Sequence, residues 1–320
     1  MTRLEQALQE LRRKGITLNS LKQLSGGINS AVFETKDSNE VRYALKLYSL
    51  PTKIDTRNRC LTEKNFLSYL QSCKISKTPK ILESDIGAGW SLLSWLEGHK
   101  PKRLELGDLG EIASFIGAIN HTSSAIARSQ LQPASEACES LPGLITSISE
   151  RIKRLLATNS GSEVSIDAVN WIRSTVNPRF QSASKQLLEN RANSAHWQNL
   201  DSCRIASPSD VGIHNTLQTE NGLHFIDFEY AGMDDLSKLA ADWIMQPEYC
   251  MDQQQEKIFT KLLLDQTNEQ IGDSWISRLK DIKPLIQIKW CLIMLRQLQN
   301  NDLKKNQLEK AITYFSASEN

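Results

Sequence analysis

The stretch from Ser207 to Asp227, S-P-S-D-V-G-I-H-N-T-L-Q-T-E-N-G-L-H-F-I-D, limits the fold of this chain more than any other. Its Asn221-Gly222 pair predicts a hairpin, because a two-residue type I′ turn needs positive φ at both positions and these residues tolerate it. Counting outward from the turn predicts two antiparallel strands in which Glu220 pairs with Leu223, Leu217 with Ile226 and Thr216 with Asp227. Asp227 would then lie beside Asn215, at a point where directly opposed Cβ atoms are roughly 5 Å apart.

This hairpin would bring together three oxygen-bearing side chains, those of Asp210, Asn215 and Asp227. Mg²⁺ prefers hard oxygen ligands and commonly takes one or two carboxylates plus substrate phosphates, which would leave one acid free for proton transfer. Taken singly, each residue could be an ordinary loop residue or a strand cap. Together they match the D-x-x-x-x-N then D pattern of protein-kinase-like phosphotransferases, where one Asp accepts the acceptor's proton and the Asn and second Asp hold the metal.

The composition is that of an ordinary soluble globular protein and excludes several classes of function. The chain has 320 residues, 40% of them hydrophobic and 23% charged, which is enough for one large or two modest domains. A net charge of +1 provides no global field that would attract nucleic acid or an anionic membrane. We expect neither a secretory signal nor a membrane span, and the sequence indicates no protein partner.

The six cysteines are scattered without a C-x-x-C pair. This spacing fits neither a zinc site nor a disulfide framework. It indicates a reducing compartment, so we expect a cytoplasmic protein.

The N-terminal sequence predicts a short amphipathic helix followed by strands. Leucine and alanine at helical spacing precede Gly15, and strand patterns then flank the segment S-G-G-I-N-S at residues 25–30. Gly26 and Gly27 in such a turn can bring backbone N–H groups close to phosphate oxygens, because glycine has no Cβ. Two adjacent glycines alone are weak support for a phosphate site, since most such turns are only turns.

The next strand, Val41 to Tyr48, alternates with a period of two. One face carries Val41, Tyr43, Leu45 and Leu47, and the other carries Ala44 and Lys46. This is the spacing of the kinase V-A-I-K strand, in which the small residue leaves room for adenine and the lysine reaches the phosphates. The alternative is an ordinary strand with a solvent-facing lysine.

A helix predicted from Arg57 to Leu70 carries Glu63 on its apolar face, three and four residues before Phe66 and Leu67. A carboxylate turned inward is costly unless it is paired. Lys46 is the predicted partner, as in the Lys–Glu pair of kinases. The alternative is that Glu63 sits at the edge of the apolar stripe and is solvated.

Two further strands, Pro79–Leu82 and Trp90–Leu96, complete an antiparallel sheet with one helix, and Glu97-Gly98 ends this part. Later helical patterns run over 106–119, 144–156 and 164–176, and from Asp234 almost to the C terminus, whereas the polar run through Asn193 suggests no element. The prediction is an α+β protein with a nucleotide-binding lobe at 1–97 and a mainly helical catalytic lobe with the hairpin at 98–320.

These features together resemble the aminoglycoside phosphotransferase and choline-kinase-like families, the small-molecule branch of the bilobal protein-kinase-like fold. The resemblance rests on G-G-I-N-S-A-V-F at 26–33, the lysine strand, D-V-G-I-H-N at 210–215 and F-I-D-F-E-Y-A-G at 225–232. It spans about residues 24–243, and its later half is the more specific.

The resemblance implies a role for each matching residue, with ATP and Mg²⁺ as the bound groups. It implies that Asp210 is the catalytic base, that Asn215 and Asp227 hold the metal, that Lys46 binds the α and β phosphates, and that Glu63 orients Lys46. It further implies nucleotide contacts by Gly26, Gly27, Asn29, Ser30, Val32, Ala44, Ser94 and Leu96, the last two on the segment whose backbone groups would face adenine.

One departure from the family pattern stands two residues before Asp210, where Pro208 replaces a usual histidine that supports the loop. We expect the loop geometry to be set differently and activity to survive. His214 stands next to Asn215, and we expect it to pack or hydrogen-bond rather than bind metal. A catalytically inactive, nucleotide-binding pseudokinase with a regulatory role remains an alternative, as does a helical scaffold.

The short segment after Asp227 indicates a small acceptor. Protein kinases carry a long activation segment ending in A-P-E, whereas here five residues separate Phe228 from the acidic start of the next helix. We therefore expect a small hydroxyl compound as acceptor, of aminoglycoside, amino-alcohol or sugar type. Glu229, Asp234 and Asp235 are hypothesised to favour a cationic or polyhydroxyl substrate, although the two aspartates could merely cap a helix.

Overall fold

The predicted strands of the N-terminal part form a five-stranded antiparallel sheet in the computed structural model of the chain, in the order β1-β2-β3-β5-β4. The structure describes residues 1–24, 29–53, 55–121, 125–158, 161–191, 194–198, 203–210, 212–300 and 302–317. The strands are β1 Ser20–Gln23, β2 Ser30–Lys36, β3 Arg42–Tyr48, β4 Ile81–Asp85, β5 Trp90–Ser94, β6 Arg204–Ser207, β7 Thr216–Thr219, β8 Gly222–Phe225 and β9 Gly232–Asp235.

The helices are α1 Arg3–Arg13, α2 Arg59–Ser72, α3 Leu106–Ile119, α4 Ala125–Arg128, α5 Leu141–Leu156, α6 Glu163–Trp171, α7 Asn177–Arg191, α8 Ala195–Gln198, α9 Leu236–Ile244, α10 Gln253–Ile271, α11 Ser274–Met294 and α12 Lys305–Ser316. In the described part of the chain, none of them is long and apolar enough to cross a lipid bilayer. The chain divides into a first unit, Met1–Ser135 with Pro208–Gly232, and a second unit, Glu136–Ser207 with Met233–Asn320. The predicted division after residue 97 stays a prediction.

One face of the sheet in the first unit packs on α1. Ala7 and Leu11 of α1 are buried with Leu45 and Leu47 of β3 in one apolar cluster. The predicted N-terminal helix and the alternation of β3 are therefore both present. Because this face is covered, the opposite face of β3, with Ala44 and Lys46, remains for polar contacts.

The hairpin of β7 and β8 is present, but its predicted register was wrong. Thr219 opposes Gly222 and Thr216 opposes Phe225, whereas the sequence predicted that Thr216 would oppose Asp227. The positive φ lies at Gly222 (+91°), so the left-handed glycine follows the two-residue turn instead of forming part of it. The Thr219 hydroxyl fixes this arrangement by accepting the Asn221 N–H at 3.0 Å.

Helix α3 holds the hairpin in place. The Glu111 carboxylate accepts the Leu223 N–H at 2.9 Å and pairs with Lys77 at 2.5 Å. The Phe115 ring of the same helix stacks on Phe225, with the ring centroids 4.1 Å apart. The two ends of β8 are thereby bound to one face of α3.

The second unit is built around α11, which contacts α5, α7, α8, α9, α10 and α12. Helix α7 occupies much of the polar run for which the sequence suggested no element. A π-helical turn over Ile172–Val176 joins it to α6, so the periodicity is interrupted there. Phe180 and Ser184, four residues apart, are the buried positions that bring α7 into the core.

Buried charges connect α9 and α11. Lys238 lies 2.8 Å from Asp234 and 3.1 Å from Asp242, and Lys289 of α11 also pairs with Asp242. Asp235 caps α9 by accepting the Ser237 N–H at 2.8 Å. Since both aspartates are buried and engaged within the second unit, the structure favours the capping alternative and removes the basis for an acceptor-binding role of Asp234 and Asp235.

Two glycine substitutions test how the hairpin is held. Gly222→Ala would force a side chain into a left-handed conformation and against the Glu111 carboxylate, so it should lower the free energy of unfolding by at least about 1 kcal/mol. Gly110→Ala in α3 meets nothing within 4 Å and should raise it by about 0.5–1 kcal/mol. Urea denaturation measures both, and two changes of the same sign would contradict the assigned geometry.

Candidate active site

The pairing of β3 with its neighbours places Lys46 on the face away from α1. Lys46 lies opposite Val32 of β2 and Ser91 of β5, and Ala44 lies opposite Glu34 and Leu93. Directly opposed residues share a face of the sheet. Val32, Ala44 and Lys46, three residues that the sequence predicts to contact nucleotide, thus share one surface.

Lys46 forms the predicted pair with Glu63 of α2. Its Nζ lies 2.7 Å from Glu63 Oε2, and the two side chains are only 4% and 1% exposed. The other carboxylate oxygen of Glu63 accepts the Phe228 N–H at 3.1 Å. Glu63 therefore joins β3 to the segment that follows the hairpin.

Asp227 meets the same lysine from that segment. Its Oδ1 lies 2.6 Å from Lys46 Nζ, while its side chain keeps 34% exposure. Asp227 has a φ of +67°, a left-handed conformation that costs free energy for a residue other than glycine. The surrounding contacts overcome that cost and turn the carboxylate toward the lysine, with one edge still open to solvent.

Glu229 is a third acid at Lys46, which sequence reasoning missed in this role. Its carboxylate lies 3.4 Å from Lys46 Nζ and 3.6 Å from Arg59 Nε, and the residue is buried. It faces these two cations, so the structure gives no support to its hypothesised contact with the substrate. No spacing in the sequence signals this pair, because Arg59 and Glu229 lie far apart in the chain.

The charges of this cluster shift one another's pKa values. Burial alone would lower the pKa of Lys46, but the carboxylates of Glu63, Asp227 and Glu229 outweigh it and raise that pKa well above its ordinary value. Burial, reinforced by Asp227 and Glu63, raises the pKa of Glu229 to about 7. The lysine therefore stays charged, and the cluster has an excess of carboxyl groups over cations.

The hairpin sets Asn215 beside the residue that precedes Asp227. The Ile226 N–H donates to the Asn215 carbonyl at 3.0 Å, continuing the ladder beyond Thr216. The Asn215 side-chain Nδ2 donates to the Asp210 backbone carbonyl at 2.9 Å. Because the amide nitrogen is bound to that carbonyl, the amide oxygen is the atom that can serve as a metal ligand.

Asp210 follows a strained turn. Its N–H donates to the Pro208 carbonyl at 2.9 Å, around Ser209 with a φ of +65°. His214 Nε2 lies 3.4 Å from Asp210 Oδ1, so His214 hydrogen-bonds the proposed base, as expected from the sequence. The loop is thus built without the usual histidine at position 208. Val211 lies outside the described residues.

The glycine-rich segment is only partly described. Gly26 and Gly27 lie outside the described residues. Asn29 accepts the Ser49 N–H at its carbonyl (2.8 Å) and donates from Nδ2 to the Tyr230 hydroxyl (2.5 Å). Ser30 begins β2 opposite Tyr48, on the face that carries Lys46.

The segment predicted to face adenine lies at the end of β5. The Ser94 N–H donates to the Lys80 carbonyl at 2.8 Å and its hydroxyl accepts the Lys80 N–H at 2.8 Å, so the Ser94 donor is already engaged. Among the described residues, Leu96 takes part in none of the loop hydrogen bonds. The contacts of Ser94 and Leu96 with adenine stay predictions.

The sequence of the chain matches a known protein family. The model of the phosphotransferase enzyme family (APH) matches residues 20–248. No curated protein sequence matches the chain.

Solved structures with the same fold include small-molecule kinases. A choline kinase from Cryptosporidium parvum Iowa II is 16% identical, with a TM-score of 0.63, over 98% of this chain and 94% of that chain. An ethanolamine kinase from Plasmodium vivax is 15% identical, with a TM-score of 0.61, over 93% and 82%. The ADP-bound aminoglycoside phosphotransferase APH(2'')-Ib is 14% identical, with a TM-score of 0.57, over 97% and 95%.

At these identities the structures show the fold, which is that of the protein-kinase-like small-molecule kinases. The family match covers well over half of the 320 residues. The chain therefore belongs to the phosphotransferase enzyme family.

Proposed function

We propose that the protein transfers the γ-phosphoryl group of ATP, bound with Mg²⁺, to a hydroxyl group of a small molecule. The observation that carries this proposal is the contact of Lys46 Nζ with both Glu63 (2.7 Å) and Asp227 (2.6 Å). It links the sheet face proposed for the nucleotide to the hairpin that holds Asn215 and Asp210.

The side chains present fit a magnesium ion that is completed by phosphates. Asn215 offers an oriented amide oxygen and Asp227 a partly exposed carboxylate. The described residues contain no group of three or more His, Cys, Asp or Glu side chains that could hold a metal by themselves. A site of one carboxylate and one amide suits Mg²⁺, which is commonly bound through substrate phosphates.

Each residue of the site has one role in the proposed reaction. The acceptor hydroxyl attacks the γ-phosphorus as the bond to ADP breaks, and Asp210 accepts the hydroxyl proton. Lys46, held by Glu63, binds the α and β phosphates. When bound, Mg²⁺ neutralises the charge that develops on the phosphate oxygens.

The pseudokinase alternative is not favoured. Lys46, Asp210, Asn215 and Asp227 are all retained, and the turn at Ser209 presents Asp210 although Pro208 stands where the family has a histidine. The proposed acceptor remains an amino alcohol, a sugar or an aminoglycoside. The six cysteines are free thiols, which supports the proposed cytoplasmic location.

Asp210→Asn should separate catalysis from binding. The amide cannot accept the acceptor's proton, so kcat should fall by about 10²–10⁴-fold while the Kd for Mg-ATP stays within about twofold. Calorimetry measures the Kd, and ADP formation in the presence of acceptor measures turnover. Asp167→Asn, at an exposed position of α6, is the matched control and should change neither value. Unchanged turnover in Asp210→Asn would exclude Asp210 as the base.

Asp227→Asn should weaken the binding of the metal-nucleotide complex. Substitution of groups that merely support metal ligands already costs about 10–100-fold in affinity, so loss of a ligand charge should cost at least about tenfold. Calorimetry with Mg-ATP tests this, and the same titration with ATP and a chelator is the control, in which the loss should be small. Equal losses of Mg-ATP affinity in Asp227→Asn and Asp210→Asn would contradict the separate roles.

A further inference from the structure

Tyr230 joins three segments of the first unit that share no sequence pattern. It lies three residues after Asp227, and its hydroxyl accepts a hydrogen bond from Asn29 Nδ2 at 2.5 Å. The guanidinium carbons of Arg57 and Arg59 lie 5.1 Å and 5.6 Å from the centroid of its ring. Both distances are within the range of a cation–π interaction.

The arginines are themselves fixed by Asp55. Arg57 Nε and Nη2 each lie 2.6 Å from an oxygen of Asp55, and Arg59 Nη2 lies 2.6 Å from the same carboxylate. Hydrogen bonds from Arg57, followed by those from Arg59, hold the pKa of Asp55 well below its ordinary value. The carboxylate therefore stays ionised and keeps the two cations against the ring.

Arg59 also contacts one of the acids around Lys46. Arg59 Nε lies 3.6 Å from Glu229, and Glu229 lies 3.4 Å from Lys46 Nζ. Charged contacts therefore connect the Tyr230 ring, through Arg59 and Glu229, to Lys46, the lysine proposed to bind the phosphates.

The Tyr230 hydroxyl restrains the side chain of Asn29 by accepting its hydrogen bond. The Asn29 carbonyl already accepts the Ser49 N–H just after β3, so the bond to Tyr230 is the second fixed point of this residue. Asn29 precedes Ser30, the first residue of β2, which lies on the face that carries Lys46. The side-chain amide of Asn29 is engaged with Tyr230, which argues that Asn29 acts on a nucleotide through the position of its backbone.

We propose that Tyr230 is a positioning residue for ATP, which fixes Asn29 just before β2 through the hydrogen bond from its side chain and is itself fixed by Arg57 and Arg59. The inference rests on the proposed function, because it assumes that the sheet face that carries Ser30 and Lys46 binds ATP. Fixing Asn29 and Ser30 before binding reduces the ordering that the nucleotide must impose on the start of β2. Loss of the hydroxyl should then weaken nucleotide binding without altering the acceptor site.

A double-mutant cycle between Asn29 and Tyr230 tests this inference. Tyr230→Phe, Asn29→Ala and the double variant are titrated with a non-hydrolysable ATP analogue and Mg²⁺ by calorimetry. A net hydrogen bond contributes about 0.5–1.5 kcal/mol, so each single variant should bind about fivefold more weakly. The double variant should bind no more weakly than the weaker-binding single variant, and not about 25-fold more weakly, because both changes remove the bond between Asn29 and Tyr230.

Tyr43→Phe is the matched control. The Tyr43 hydroxyl donates to Asp37 at 3.0 Å on the same sheet, but Tyr43 lies on the face that packs on α1. Removal of the Tyr43 hydroxyl should leave the affinity for the ATP analogue unchanged. Amide hydrogen exchange of the nucleotide-free protein provides a second reading, in which Ser30 should exchange faster in Tyr230→Phe and Asn29→Ala than in Tyr43→Phe.

Each result of the titrations either supports or overturns the positioning role of Tyr230. Unchanged affinity in Tyr230→Phe overturns the inference, as do losses that multiply in the double variant, which would mean that Asn29 contacts the nucleotide independently. A change in the KM of the acceptor with unchanged nucleotide affinity would assign Tyr230 to the acceptor site and overturn it as well. If the unsubstituted protein fails to bind the analogue, the proposed function fails and this inference fails with it.

Discussion

The buried ammonium of Lys46 is the contact on which the rest of the site depends. A lysine in this position is stable only with nearby negative charge, and Glu63 and Asp227 provide it at 2.7 Å and 2.6 Å, with Glu229 at 3.4 Å. These acids come from α2 and from the segment after the hairpin. These contacts with the one charge of Lys46 therefore fix α2 and the segment proposed to bind metal relative to the sheet.

The hairpin provides the second constraint, through backbone hydrogen bonds. The Ile226 N–H donates to the Asn215 carbonyl, and the Asn215 side-chain amide donates to the Asp210 carbonyl. These two bonds connect Asp210, Asn215 and the residue that precedes Asp227. Glu111 of α3 holds the opposite end of β8. The Asp227 carboxylate can keep a partly open edge because backbone hydrogen bonds help to determine where it lies.

Local sequence, through the alternation of β3, the inward-facing carboxylate of α2 and the turn chemistry of Asn221-Gly222, was sufficient to predict the sheet, the pairing of Lys46 with Glu63 and the existence of the hairpin. It was not sufficient for the register, since the same Asn-Gly pair supports two turns and the Thr219 hydroxyl and α3 decide between them. The contacts of Glu229 with Arg59 and of Tyr230 with Asn29 join residues far apart in the chain. No repeat or spacing predicts such contacts, because they exist only after the sheet and α2 have packed.

The most direct test of a phosphotransferase centred on this lysine cluster is phosphorus NMR of the protein with Mg-ATP and a mixture of amino alcohols, sugars and aminoglycosides. The account predicts a new phosphate-ester signal together with ADP, and neither product when Asp210→Asn replaces the unsubstituted protein. An unchanged spectrum from a protein that binds Mg-ATP would contradict transfer to these acceptors. An ester formed equally well by Asp210→Asn would contradict the catalytic assignment.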